Sequence, residues 1–147
     1  SSKLNEMETG INDGASEIDV VMNIGFFKNE KYNMVSDEII RMVQNATGKI
    51  IKVIIESGIL SKEEIITATK LVEDSGAHFV KTSTGISTFG ASPEIIKTIK
   101  ATLKSDTKIK ASGGIKSLNQ VEELINTGVD RIGSSSGIII MEEITNK

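Results

Sequence analysis

Cysteine and tryptophan are absent from the 147 residues, and histidine, proline and tyrosine occur once each. Without cysteine there is no disulfide scaffold, no thiolate nucleophile and no thiolate metal site. One histidine argues against a histidine-based zinc site or triad, so no metal or other cofactor is expected. Nothing approaches ~18 consecutive apolar residues, so no transmembrane span is expected. No charged-then-apolar leader opens the chain, which leaves secretion unsupported and the cytoplasm as the expected location. The formal net charge is −3, and no block of lysine or arginine stands out. Neither nucleic acid nor a membrane is therefore an expected partner. What is present is the balance of an ordinary globular protein, 38% hydrophobic and 25% charged. No linker, low-complexity stretch or second domain is visible, and residues 1–147 read as one domain.

A local unit recurs: a helical stretch, a polar residue or two, glycine, then an apolar strand. It appears at Asn12-Asp13-Gly14 before Glu17–Asn23, and at Thr47-Gly48 before Ile50–Glu56. It appears again at Asp74-Ser75-Gly76 before His78–Ser83, and at Asn126-Thr127-Gly128 before Arg131–Ser134. Glycine suits the residue after a helix because it turns left-handed without a Cβ clash. A fifth strand, Lys108–Ser112, follows a helix without that glycine. Ser61 with Glu64 and Ser117 with Gln120 read as capping boxes, and Ser92-Pro93 as an N-cap followed by proline. Between these signals Val35, Ile39, Ile40 and Val43 share a helical face, as do Ile65, Ile66, Thr69 and Val72. Ile95, Ile96, Ile99 and Leu103 form another, and Val121, Leu124 and Ile125 a fourth.

Strands alternating with helices predict βαβ units and a parallel sheet. Five such units fit either a complete flavodoxin-like domain or part of a larger barrel. The start favours the second. Lys3 to Asp13 already reads as a helix, with Leu4, Met7 and Ile11 at helical spacing, and the first residue is Ser1. The expectation is that something precedes it.

Polar residues gather toward the C-terminal ends of the strands, where parallel α/β proteins place their sites. Lys81, in Phe79-Val80-Lys81-Thr82-Ser83-Thr84-Gly85, is flanked by apolar residues, and burying an ammonium is costly. Lys110, in Ile109-Lys110-Ala111-Ser112-Gly113-Gly114, lies on the next strand. Neighbouring strands are about 5 Å apart, so two inward lysines would feel each other, and such crowding frees an amine as a nucleophile. The alternative is that both point outward and snorkel. Alternation places Glu17, Asp19, Val21 and Asn23 on one face. Asp19 is then either a proton carrier near the lysines or half of a structural ion pair.

Gly113-Gly114 and Gly133-Ser134-Ser135-Ser136-Gly137 are two small-residue turns on successive strands, each leading into a helix. Such turns let backbone N–H groups approach an anion. They match the phosphate site many (β/α)₈ barrels build after strands seven and eight. On that count three strands are absent before Ser1. Other residues carry weaker signals. His78 begins a strand at the far end, where packing is its expected role. Glu56 is expected either to enter the site or to pair with Lys52. Phe26, Phe27 and Phe89 are expected in loops walling the pocket.

Five segments together resemble the class I deoxyribose-phosphate aldolases. They are Glu-Ile-Asp-Val-Val-Met-Asn at 17–23, Lys-Val-Ile-Ile-Glu at 52–56, His-Phe-Val-Lys-Thr-Ser-Thr-Gly at 78–85, Lys-Ala-Ser-Gly-Gly-Ile at 110–115, and Asp-Arg-Ile-Gly-Ser-Ser-Ser-Gly at 130–137. The resemblance runs from about Gly14 to Gly137. It implies a (β/α)₈ TIM barrel, here a partial one of five strands (4–8), and no cofactor. It implies reversible cleavage of 2-deoxy-D-ribose 5-phosphate to acetaldehyde and D-glyceraldehyde 3-phosphate through a lysine Schiff base. Lys81 would form the Schiff base, Lys110 would depress its pKa, and Asp19 would join the proton relay. Gly113, Gly114, Ser135 and Ser136 would bind phosphate, and Thr84 and Gly85 would shape the site. A different Schiff-base or phosphate-binding barrel would share the lysines and glycine turns but not all five segments. With three strands missing, the expectation is an open barrel fragment that is inactive, aggregates, or forms a homo-oligomer over its open edge.

Overall fold

Stretches with helical periodicity become helices and short apolar runs become strands, because only those elements bury the respective faces. The computed structural model describes residues 2–86 and 89–146. Helix α1 (Ser2–Asn12) precedes strand β1 (Glu17–Val21), then come α2 (Ile24–Lys28), α3 (Tyr32–Asn45), β2 (Ile50–Ile54) and a 3-10 turn (Ser57–Ile59). After them come α4 (Lys62–Asp74), β3 (Phe79–Lys81), α5 (Pro93–Thr102), β4 (Lys108–Ser112), α6 (Leu118–Thr127), β5 (Arg131–Gly133) and α7 (Gly137–Thr145). Ser1, on which the expectation of a preceding segment partly rests, lies outside the described residues.

The predicted caps form. The Ser61 hydroxyl accepts from the Glu64 N–H while the Glu64 carboxylate accepts from the Ser61 N–H, and Ser117 with Gln120 repeats the arrangement. Ser92 accepts from the Ile95 N–H, with Pro93 in the first turn. Gly128 ends α6 at φ 107°, a left-handed conformation that would strain any side chain.

The five strands make one parallel sheet in the order β1-β2-β3-β4-β5. A flavodoxin-like sheet reverses its winding at a switch point, whereas this one adds each strand on the same side of the last, as a barrel does. The flavodoxin-like alternative is thereby excluded. The sheet is strongly curled. In a flat sheet β1 and β5 would lie about 19 Å apart, at about 4.8 Å per neighbour. Yet Arg131 of β5 forms an ion pair with Glu17 of β1. Among the described residues, β1 and β5 pair with no further strand and remain the sheet's edges.

The convex side carries the core. Ile51, Val53, Ile55, Val80, Ile109 and Ala111 are fully buried there, against Val35, Ile39, Val72, Ile96 and Ile99 from the helices. Three expectations fail. Asn23 leaves the strand and caps α2, where its side-chain oxygen accepts from the Phe26 N–H. Phe26 and Phe27 lie on α2 and not in a loop, and Phe27 is core, its ring 5.4 Å from that of Tyr32. Ile125 is exposed although Leu124 beside it is buried. Helix α6 is next to last in the layer, and only α7 lies beyond it.

Candidate active site

Alternation along the strands, with Val20, Val53, Val80 and Ile109 facing the helices, turns the intervening polar residues into the concave side. Glu17 and Asp19 come from β1, Lys52 from β2, Lys81 from β3, Lys110 from β4 and Arg131 from β5. They form one connected cluster. The Asp19 Oδ2 accepts from Lys81 Nζ at 2.7 Å and from Lys110 Nζ at 3.0 Å. Its Oδ1 accepts from Lys52 Nζ at 2.9 Å. Lys52 also reaches Glu17 at 2.7 Å, and Glu17 holds Arg131, whose guanidinium lies 4.7 Å from the Phe79 ring centroid. Both Lys81 and Lys110 thus point inward, and the outward alternative is excluded.

Burial pushes the Asp19 carboxyl up, but hydrogen bonds from Lys81, Lys52 and Lys110 outweigh it and hold it well below the usual carboxylate range. Asp19 is therefore ionised at neutral pH. Hydrogen bonds from Lys52 and then Arg131 lower Glu17 in the same way. The exposures of the side chains grade inward: 4% for Lys52, 14% for Lys81, 16% for Lys110 and 28% for Asp19. The first is a core group, while the other three can meet a ligand.

Lys52 is the member that sequence reasoning did not place in the cluster. Of the two alternatives for Glu56, entering the site or pairing with Lys52, the second does not occur: Glu17 and Asp19 engage Lys52, and Glu56 accepts hydrogen bonds from Ser83 and Thr84. The signal was present: Lys52 stands in Ile50-Ile51-Lys52-Val53-Ile54, a charge in an apolar strand like Lys81 and Lys110.

Beside the lysines lies a cavity of about 590 Å³, lined by Lys81, Thr84, Gly85, Gly90, Ser112, Gly113, Gly114, Ile115, Lys116, Gly133, Ser134 and Ser135. Five of the six residues expected to bind phosphate or shape the site line it. Ser136 does not: its N–H donates to the Ser134 Oγ at 2.9 Å as α7 begins. The Ser134 hydroxyl donates in turn to the Ile115 carbonyl at 2.6 Å, which ties the two small-residue turns together. Lys116 and Gly90 were missed. A Cβ at Gly90 would sit 1.8 Å from the Gly113 carbonyl oxygen, so the backbones meet too closely there for any side chain. Phe89 is largely exposed and is not among the lining residues.

A second cavity of about 460 Å³ lies at the opposite ends of the strands, against His78, Phe79 and Lys108. None of the expected catalytic or phosphate-binding residues reaches it. His78 is exposed, and its Nδ1 accepts from the Ile51 N–H at 3.1 Å. That is a structural bond. Among the described residues, no group of three or more histidines or acidic residues is placed to hold a metal ion. Among the described residues no helix is long and apolar enough to cross a membrane.

A family model described as DeoC/LacD family aldolase matches residues 2–145. The chain belongs to the DeoC/LacD aldolase family. Deoxyribose-phosphate aldolases of Dictyoglomus turgidum and Bdellovibrio bacteriovorus are 45% identical over 141 residues and 44% identical over 142. These matches take in 96% and 97% of this family member but 64% of each relative's length. The solved aldolase QR15 superposes with a TM-score of 0.95 at 41% identity, over 99% of this chain and 66% of that one. A tetrameric deoxyribose phosphate aldolase from Aeropyrum pernix gives 0.88 at 31%, over 97% and 61%. This DeoC/LacD chain is thus a partial barrel, spanning 62–64% of the length of curated relatives it matches.

Proposed function

We propose that the chain carries the Schiff-base site of a deoxyribose-phosphate aldolase, with Lys81 as nucleophile. The observation behind this reading is the single Asp19 oxygen shared by Lys81 and Lys110, with Lys81 also lining a cavity walled by small residues. In the cleavage direction the neutral Lys81 amine adds to C1 of open-chain 2-deoxy-D-ribose 5-phosphate and expels water, leaving an iminium. Removal of the C3 hydroxyl proton breaks the C2–C3 bond, whose electron pair enters the iminium to give an enamine. D-Glyceraldehyde 3-phosphate leaves. Protonation at C2 and hydrolysis return the lysine and release acetaldehyde. The iminium is the electron sink, so no step calls on a metal.

Four cations face two carboxylates in the cluster. Asp19 and Lys110 stand where they can pass protons with water. Gly113, Gly114 and Ser135 are the proposed phosphate ligands, with Thr84 and Gly85 as the facing wall and Lys116 adding positive charge. A cytoplasmic enzyme acting on small phosphorylated sugars, as a homo-oligomer, completes the reading.

Borohydride trapping with acetaldehyde, read by peptide mass spectrometry, tests it. An ethyl adduct on Lys81 is expected, and Lys81→Leu should abolish it. A folded chain that gives no adduct overturns the reading for these 147 residues; the relatives' remaining length would then be needed to build the site.

A further inference from the structure

The loop after β3 forms one wall of the anion cavity, and a carboxylate braces it. Glu56 follows β2 with φ 54° and ψ 55°, a left-handed conformation that a residue with a side chain rarely adopts. From there its carboxylate faces the end of β3. Oε1 accepts from the Ser83 hydroxyl at 2.8 Å and from the Thr84 N–H at 3.2 Å, while Oε2 accepts from the Thr84 hydroxyl at 2.6 Å. With their protons committed to Glu56, the two hydroxyl oxygens accept from the next backbone groups. Ser83 Oγ takes the Gly85 N–H at 3.1 Å, and Thr84 Oγ1 takes the Ile86 N–H at 3.2 Å. Two further bonds fix the segment to its neighbours: Ser57 N–H to the Thr82 carbonyl at 2.8 Å, and Ser112 hydroxyl to the Ser83 carbonyl at 2.6 Å.

This loop abuts the opposite wall. The Ser83 side chain lies 3.0 Å from where a Cβ on Gly113 would stand. Thr84 and Gly85 then face Gly113, Gly114, Ser134 and Ser135 across the cavity. We propose that Glu56 is a positioning residue that sets the width of this cavity and so its affinity for a phosphate group. The proposal rests on the function argued above for what the cavity holds. A bare carboxylate beside an anion site would repel the ligand. Here donors from Ser83 and Thr84 cover its oxygens, and its charge is spent on ordering the wall. Both oxygens are used, so glutamine can replace it only in part.

The test is calorimetric titration of the chain with inorganic phosphate, for wild type, Glu56→Gln and Glu56→Ala. Losing its hydrogen bonds to the loop is expected to weaken phosphate binding about tenfold in Glu56→Ala. Glu56→Gln keeps one acceptor for the Thr84 N–H and should fall between, about threefold weaker. A general loss of fold would not give that graded rescue. Should Glu56→Ala not fold, Glu56→Gln decides alone: a threefold loss supports the proposal, while unchanged or absent binding overturns it. Undetectable phosphate binding by the wild type also overturns it. Acetaldehyde trapping at Lys81 in the wild type reads separately on the Schiff-base function. An adduct without a Glu56 effect sinks this inference alone, and a Glu56 effect without an adduct sinks the Schiff-base reading alone.

Discussion

Asp19 has two oxygens and three lysines, and how it divides them organises the concave face. One oxygen goes to buried Lys52, and the other bridges Lys81 and Lys110. Lys52 thus orients the carboxylate that the two more accessible lysines share. Lys52→Met should lower stability by about 2 kcal/mol. That is below the usual cost of about 3–5 kcal/mol for breaking a buried pair, because Glu17 keeps Arg131 and Asp19 keeps two lysines. It should also slow Lys81 trapping, because the carboxylate then loses the bond that fixes its second oxygen; urea unfolding and the rate of adduct formation measure the two effects. The pH dependence follows from the same bonds. A carboxyl held below its ordinary range stabilises the fold fully above about pH 4, and that contribution is lost as the pH falls toward the depressed value. Urea midpoints of the wild type should therefore decline on acidification below about pH 4. Asp19→Asn should be less stable at neutral pH and show a shallower acid decline; an unchanged acid limb would separate Asp19 from acid unfolding. Lys81, Lys110 and Asp19 were legible in the sequence, because a charge inside an apolar strand must find a partner, and alternation says on which face. Lys52 obeys the same rule, but it was weighed only as one of two options for Glu56 and not as a member of the cluster. Ser136 is absent from the cavity lining, and a run of three serines does not reveal which of them face a cavity.

At the level of elements, the local signals are nearly self-sufficient. Ser61, Ser92 and Ser117 each cap the helix their spacing announced, and the strands fall where short apolar runs lie between glycine turns. What was not legible depends on neighbours in space. Asn23 continues a perfect alternation yet leaves the strand, because its side chain is worth more to the orphan N–H groups of α2. Phe27 follows a strand end and looks like a loop residue, but α2 turns it into the core. The choice between a flavodoxin-like sheet and a barrel waited on strand order, which no local pattern carries. Two predictions belong here. Ser61→Ala removes one half of a reciprocal cap and should cost about 1 kcal/mol, lowering Tm by about 3 °C in a thermal melt. Gly90→Ala places a methyl group into the Gly113 carbonyl and must displace one wall of the anion cavity. It should abolish inorganic phosphate binding in calorimetry, and tight phosphate binding by this variant would show that Gly90 and Gly113 do not form that wall.

For the whole molecule the decisive feature is that the curl is not closed. The Arg131–Glu17 pair draws the two edges toward each other across the interior, but the backbone donors and acceptors along the outer sides of β1 and β5 meet no strand among the described residues. Helix α7 adds to this. Its sequence Gly-Ile-Ile-Ile-Met buries only Ile140, while Ile138, Ile139, Met141 and Ile144 are exposed, Ile138 by 79%. Single exposed apolar residues are ordinary, but several on one helix beside an open sheet edge form a surface that another chain or segment covers. In relatives about a third of whose length lies outside the match, further length is available for that purpose. For the 147 residues alone, the partner at hand is a second copy. The expected outcome is association of at least two chains on size exclusion, with a melting temperature that climbs as protein concentration is raised, because unfolding is then linked to dissociation. Replacing Ile138 and Met141 together by glutamate should shift the chain toward monomer and lower Tm at high concentration, leaving the buried Ile140 contact in place. A monomer with a sharp, concentration-independent melt would instead mean that five strands and their helices suffice, and that the exposed α7 face costs the isolated chain little.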